Sequence, residues 1–439
     1  MSPNRHGSQA LVAVVVFLLA MASPLQGQKF DKNELERDRA ILKDAYDTVK
    51  KHYYDLKYHG LDLDARYKAS DADMKKASSN GEAFSIIADF LDGLNDSHTF
   101  FMPPQRPYHL DYGYRMQMVG DKCFIVRIRP KTDAENAVHL GDQVASFNNL
   151  PMNRGDFWKV EYYFNSLVPQ PGSTVVVRDA AGKETRIDVK AKMQQLKKVA
   201  DLTSDTDFWQ YYRDIEKADH VDRHRWTEAG DVMYWKMPEF DLDATEVDRI
   251  HGIAQKHKAL VLDLRGNPGG SVETLSWMLG DVLDHDIKIA DRMGQKELKP
   301  QEAKTRKGRV FSGKLIVLVD SGSGSAAELY ARVIQLEHRG TVLGDRSSGL
   351  VMEAEHFNSS QGADTKVFYG FSVTDADLIM ADGKSLEHNG VVPDQIILPT
   401  AEDIAAGRDP VLARAAELAN SNLDPAAAGK MFPYEWVPF

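Results

Sequence analysis

The sequence predicts an α/β fold, and three observations support it. From residue 231 onward, continuous apolar runs of strand length alternate with stretches of helical periodicity, the pattern of buried parallel strands joined by covering helices. Between residues 108 and 193 the texture changes to short alternating runs broken by Gly and Asp turns. Ahead of both, apolar residues recur every three or four positions among many charges, as on amphipathic helices. A chain of 439 residues built this way has room for two or three domains.

Taken in order, residues 1–28 stand apart. Arg5 and His6 precede an apolar run over 10–21, followed by small residues and Pro24. Such a run is shorter than the roughly 18 residues a membrane span needs, so it predicts a secretory signal peptide cleaved near 26–28 and no stable membrane anchor. The single cysteine, Cys123, lies far from that point, which argues against a lipoprotein, and it has no partner for an internal disulfide. It reads as a small buried hydrophobe. The expected location is therefore outside the cytoplasm, in a periplasm or the medium.

Residues 29–105 form an expected helical region. Leu35, Ile41, Leu42, Ala45, Tyr46 and Val49 share one helical face, with Asp31 placed to cap its start. A second helix over 81–94 runs into the polar cluster Asn95, Asp96, Ser97, His98 and Thr99, and Pro103 and Pro104 end the segment. Residues 106–195 read as a small β-rich domain with strands near 123–128, 143–147 and 174–177. Its Leu140-Gly-Asp-Gln-Val144 turn-and-strand and its Pro171-Gly-Ser-Thr174 segment resemble a PDZ domain. Residues 196–400 are the α/β core, with strands at 232–235, 259–264 and 315–319 and helices at 245–256, 272–283 and 325–337. A tail over 401–439 holds one more helix, 410–419.

Two turns in the core can carry chemistry. Ser325 sits where the strand 315–319 becomes a helix, and the free N–H groups and positive end of a helix N-terminus suit an oxyanion forming beside it. By itself this is also how an ordinary serine N-cap looks. The strand 259–264 ends in Arg265-Gly-Asn-Pro-Gly-Gly270, whose adjacent glycines leave N–H groups unobstructed. Ala326 with Gly269 or Gly270 would then form an oxyanion hole. His356 lacks a metal-binding spacing and reads as part of an edge strand, and Lys384 is a further candidate base. No metal or cofactor is indicated. The formal charge of −11, with both signs interspersed, argues against nucleic acid as a partner.

Taken together, Asp263-Leu-Arg-Gly-Asn-Pro-Gly-Gly270, Ser323-Gly-Ser-Ala-Ala-Glu328, Asn95-Asp-Ser-His-Thr99, Gly344 and Glu387-His-Asn-Gly-Val-Val-Pro-Asp394 resemble, in order, the motifs of the S41 peptidase family of C-terminal processing, or tail-specific, proteases. The likeness covers roughly residues 29–418. It implies a crotonase- or ClpP-like α/β core with an inserted PDZ-like domain, Ser325 as nucleophile, and a polypeptide substrate. Family members of the Ser-Lys type carry a lysine about 25 positions after the nucleophile; here Gly349 and Leu350 stand there. The chain is more similar to the tricorn-like branch, whose Ser-His-Ser-Glu tetrad maps onto Ser97, His98, Ser325 and Glu387. In that arrangement His98 takes the Ser325 proton, and Ser97 connects the imidazole to the Glu387 carboxylate. Two rival readings are a binding protein for small apolar ligands on the same core, and a non-catalytic PDZ scaffold. Oligomeric state is not legible.

Overall fold

The computed structural model describes residues 31–179, 181–195, 220–362 and 366–438. The expected signal peptide and the stretch at the start of the expected core region lie outside them. No helix among the described residues is long and apolar enough to cross a membrane.

Helix α1 (Lys32–His52) starts at Asp31, whose carboxylate accepts the Glu34 N–H while Glu34 returns a bond to the Asp31 N–H. Its stripe of Ile41, Leu42, Ala45 and Val49 packs against α2 (Leu63–Met74) and α3 (Asn80–Asp92). Helix α2 escaped the sequence reading because it buries only Leu63, Ser70 and Met74, too few to make a periodic stripe. Tyr369, Phe371 and Val373 complete this cluster, so the helices share their core with a strand that arrives late in the chain.

Strand β1 (Phe100–Met102) leads to β2 (Tyr108–Asp111), β3 (Tyr114–Val119), β4 (Lys122–Ile128), the short α4 (Ala134–Ala137), β5 (Gln143–Phe147), β6 (Leu150–Pro151), α5 (Phe157–Tyr162), β7 (Gly172–Arg178), β8 (Glu184–Lys190) and β9 (Lys192–Gln195). Strands β3-β4-β5-β7-β8 form an antiparallel sheet around Met118, Ile125, Val144, Phe147 and Val175, with Cys123 buried among them. The β2–β9 pairing clasps the entry and exit of this unit.

The core begins with β10 (Arg225–Ala229) and continues through β11 (Val232–Lys236), α6 (Ala244–Ala254), β12 (Ala259–Asp263), α7 (Val272–Gly280), β13 (Ile287–Gly294), β14 (Gln301–Ala303), β15 (Lys314–Val319), α8 (Ala326–Leu336), β16 (Gly340–Gly344), β17 (Met352–Gln361), β18 (Val367–Met380) and β19 (Gln395–Ile396). One sheet has the order β10-β11-β12-β15-β16-β19, parallel from β11 onward. Its strands alternate faces: Leu260, Leu262, Leu315, Val317 and Val319 pack on the side of α6, α7 and α8, while Val261, Ile316, Leu318 and Leu343 pack under α10 (Pro410–Leu418). Because both faces are covered, every residue of β12 is buried, which is why these strands read as unbroken apolar runs.

A second sheet, β1-β18-β13-β14 with β17 on β18, was not anticipated, because Thr374, Asp375 and Asp377 interrupt the apolar pattern of its longest strand. Its β1–β18 pairing aligns Phe100 with Ser372. Beyond α9 (Ala401–Ala405), α10 and α11 (Pro425–Ala428), the aromatic tail that the sequence left uninterpreted lies along the β-rich unit. Trp436 meets the Arg129 guanidinium at 4.5 Å and Tyr434 that of Arg127 at 5.4 Å.

The end of β12 is tied to the tail by Arg265, which holds Asp263 at 2.8 Å and the Asp409 N-cap of α10 at 2.7 Å. Asp263 is buried, and removing the Arg265 guanidinium leaves it only the longer ion pair with Lys236 Nζ at 3.4 Å. Arg265→Met is expected to lower stability by about 3 kcal/mol in urea unfolding.

Candidate active site

Three loops leave the carboxyl ends of adjacent strands and meet. The loop after β12 and the loop after β15 are joined by the Gly324 N–H donating to Asn267 O at 2.8 Å, and the loop after β16 joins through the Ser348 N–H to Ser323 O at 2.9 Å. Ser325 occupies the turn from β15 into α8 with φ 49° and ψ −119°. A side chain other than glycine is strained there, and such strain persists only where surrounding bonds over-determine it. Here they do: the Ser325 N–H donates to Leu350 O at 2.9 Å and to Glu328 Oε2 at 3.1 Å.

Gly269 and Gly270 come close to that turn, with φ of +111° and +134°. A Cβ on Gly269 would stand 2.6 Å from Ser325 Cβ and 3.0 Å from the Ala326 nitrogen, so only glycine permits this approach. The three candidate oxyanion donors are not equivalent. The Gly269 N–H is engaged by Asn267 Oδ1 at 2.8 Å, whereas those of Gly270 and Ala326 have no acceptor among the described residues.

Across the site, Ser97, His98 and Glu387 are directly bonded. Ser97 Oγ lies 2.7 Å from His98 Nδ1 and 2.9 Å from Glu387 Oε2, and the Ser97 N–H donates to Glu387 Oε1 at 2.7 Å. The hydroxyl has one proton, and the carboxylate can only accept it, so Nδ1 carries the imidazole hydrogen and Nε2 is left with its lone pair. Burial pushes the His98 imidazole down to about 4, against the opposing pull of Asp96. Burial also raises the Glu387 carboxyl, opposed by His388 and by the bonds from Val351 and Ser97.

The two halves meet at consecutive residues. Leu350 O accepts from Ser325, and the next N–H, that of Val351, donates to Glu387 Oε2 at 2.8 Å. The Leu350–Val351 backbone, which includes the residue in the lysine's place, thus links the Ser325 turn to the hydrogen-bonded group of Ser97, His98 and Glu387. Lys384 is exposed on the turn after β18, and His356 is exposed on β17, which among the described residues pairs with β18. No group of three or more potential metal ligands occurs among the described residues.

Sequence reasoning gave no role to Glu328, although Ser325-x-x-Glu328 has the spacing of a capping box. It is fully buried and accepts from the N–H groups of Ser325, Gly349 and Leu350 and from the hydroxyls of Ser347 and Ser348. Burial pushes its carboxyl up to about 7 despite these donors. Asp96 was likewise given no role. Its Oδ1 accepts from the His98 and Thr99 N–H groups, a turn that an Asp two residues ahead of His98 could have signalled.

Fold and site together define an α/β core with a serine on a strained strand-to-helix turn, facing glycine N–H groups and bonded through one loop to a Ser-His-Glu cluster. Residues 231–397 match the model of Peptidase family S41. The chain is 26% identical over 176 residues to a carboxyl-terminal-processing protease of Synechocystis, and 30% identical over 152 residues to the carboxy-terminal processing protease CtpA of Bacillus subtilis. These matches take in 38% and 33% of this chain and only 38% and 30% of the relatives' lengths. A longer match, 22% identical over 84% of the chain and 74% of the relative, is to carboxyl-terminal-processing peptidase 1, chloroplastic, of Arabidopsis thaliana. Among solved structures, mature CPAF superposes with a TM-score of 0.62 at 16% identity, covering 84% of this chain and 94% of that one. The photosystem II D1 C-terminal processing protease gives 0.50 at 16% identity, covering 83% and 94%. At these identities the structural likeness concerns the fold.

Glu328→Gln turns an amide NH2 toward groups that are themselves donors. The variant is expected to lose about 2 kcal/mol of stability in urea, with faster amide hydrogen exchange at Gly349 and Leu350.

Proposed function

We propose that the chain is an exported serine-type peptidase that cleaves polypeptides, acting near their carboxyl ends, through an acyl-enzyme on Ser325. The observation that carries this reading is the bonded series Glu387, Ser97 and His98, whose Nδ1 is committed and whose Nε2 is free to accept a proton. Ser325 Oγ attacks the substrate carbonyl carbon and gives its proton to His98 Nε2. The oxyanion is held by the Ala326 and Gly270 N–H groups. The C–N bond then breaks, the amine leaves with the proton from His98, and water activated by the same base releases the acyl group. The Ser-His-Ser-Glu arrangement, not a Ser-Lys dyad, is the one that Leu350 allows. No metal or cofactor takes part in these steps.

Residues 106–195 are read as a PDZ-like domain that captures a substrate end or gates the site. Supporting the gating role, β3 is the terminal strand of its sheet. That edge lies on the nucleophile's own turn: Ser321 Oγ donates to Met118 O at 2.6 Å and Gln117 Nε2 to Asp320 Oδ2 at 2.6 Å. Residues 29–105 serve as the helical region that presents Ser97 and His98, residues 196–400 as the catalytic core, and 401–439 as its tail. Export rests on the expectation for residues 1–28.

The first test is cleavage of unfolded proteins and of peptides with free or amidated carboxyl ends. Wild type is expected to cut and to prefer the free end. Ser325→Ala should lose at least about 10⁴-fold in turnover and His98→Ala about 10²- to 10⁴-fold; a folded wild type that binds such peptides and cleaves none of them supports a scaffold instead.

The pH profile gives a second test. The base works only when neutral, so activity is present above its pKa and is lost as pH falls through it. Because burial places His98 near 4, the acid limb of kcat/KM is expected well below pH 6.5. A limb at 6.5 or above would point to a base other than this buried imidazole.

A further inference from the structure

Asp96 stands two residues ahead of His98 and is almost wholly buried, at 4% exposure. Its shortest hydrogen bonds run through one oxygen: Oδ1 accepts from the His98 N–H at 3.0 Å, the Thr99 N–H at 2.8 Å and Thr374 Oγ1 at 2.6 Å, while the buried Tyr53 hydroxyl is a further neighbour of the carboxylate. If the turn alone mattered, asparagine would make the same bonds through its single oxygen without burying a charge. Burying a carboxylate is more costly than burying an amide, so a merely structural role leaves the choice of a charged group unexplained.

Its surroundings keep that charge undiluted. Tyr53 at the end of α1 is fully buried, and Asp96 opposes its ionisation both through space and by accepting from its hydroxyl. Tyr54, beside it, faces Asp377, Asp96, Asp55 and Glu387; burial raises both phenols, so both stay neutral. The charged group that acts on the His98 ring is Asp96, and it favours the protonated form.

We propose that Asp96 is a positioning residue for His98: its buried carboxylate pins the 96–99 turn through Oδ1 and sets a fixed negative charge beside the imidazolium that forms when His98 takes the Ser325 proton. The inference rests on the peptidase reading above. Two carboxylates would then serve one base by different routes, Glu387 through the Ser97 hydroxyl and Asp96 through space. Loss of Asp96 destabilises the imidazolium, so the proton affinity of His98 falls and the acid limb moves to lower pH.

The test uses the full chain carrying Asp96→Asn, with Asp96→Ser as a second uncharged variant whose hydroxyl can still accept the turn's N–H groups. Both are read by kcat/KM against pH and by NMR titration of His98. The expected result is a kcat lowered about 10- to 100-fold with little change in KM, and an acid limb and His98 titration displaced to lower pH in both. Thr374→Val, which removes a donor and keeps the charge, should leave the titration in place. Unmoved titrations in the folded Asn and Ser variants, or a KM effect with kcat intact, would overturn the proposal. The NMR measurement needs no turnover and so separates the two readings. A displaced titration in a chain that cleaves nothing sinks the peptidase reading and keeps the coupling; an undisplaced one in a cleaving chain does the reverse.

Discussion

The Glu387 carboxylate is the junction on which the site depends. It takes bonds from the Ser97 N–H, the Ser97 hydroxyl and the Val351 N–H, drawing together residues as many as 290 positions apart. Burying a carboxylate is costly unless its oxygens are occupied, and here both are, which makes the junction specific. Its donors cannot be exchanged without leaving charge or N–H groups unpaired. Val351 adjoins Leu350, which holds the Ser325 N–H, so the same junction sets the distance between the base and the strained serine.

Each partner is delivered by ordinary secondary structure. Pairing of β1 with β18 brings His98 beside the turn that carries Glu387, and Thr99 Oγ1 and Thr374 Oγ1, 3.1 Å apart, hold that register below the turn. The parallel ladder β12-β15-β16 places three loops side by side at its carboxyl ends, the usual location of a site in such a sheet. Glu328 stiffens the loop after β16 from beneath by collecting five donors. Strain at Ser325 is therefore supported on two sides: by Glu328 within its own helix and by Leu350 from the next loop.

Under the proposed reading, the loop after β16 serves the site through its backbone. A lysine at position 350 would approach the serine from the loop after β16. In its place the backbone of Leu350 and Val351 supplies an acceptor to Ser325 and a donor to Glu387, and the proposed base, His98, stands on the segment leading into β1. The edge strand β3 rests on residues 320 and 321, so movement of the β-rich unit is mechanically connected to the turn that holds the nucleophile.

The sequence by itself determined the elements whose burial is one-sided or complete. The α1 stripe, the runs of β11, β12 and β15, and the helix after Ser325 were legible because continuous or periodic apolar residues have no other stable use in water. Ser325, Gly269, Gly270, Ser97, His98 and Glu387 could be picked out as candidates because they lie in short motifs at element ends. Tertiary structure alone decided what these groups touch. That Ser97 meets Glu387 across 290 positions and Thr374 meets Asp96 across 278 follows from long-range contacts that no local pattern encodes. The polar-interrupted β18 was illegible for the same reason: its polar side chains are buried by partners distant in sequence, and hydrogen bonds, not apolar periodicity, make that burial tolerable.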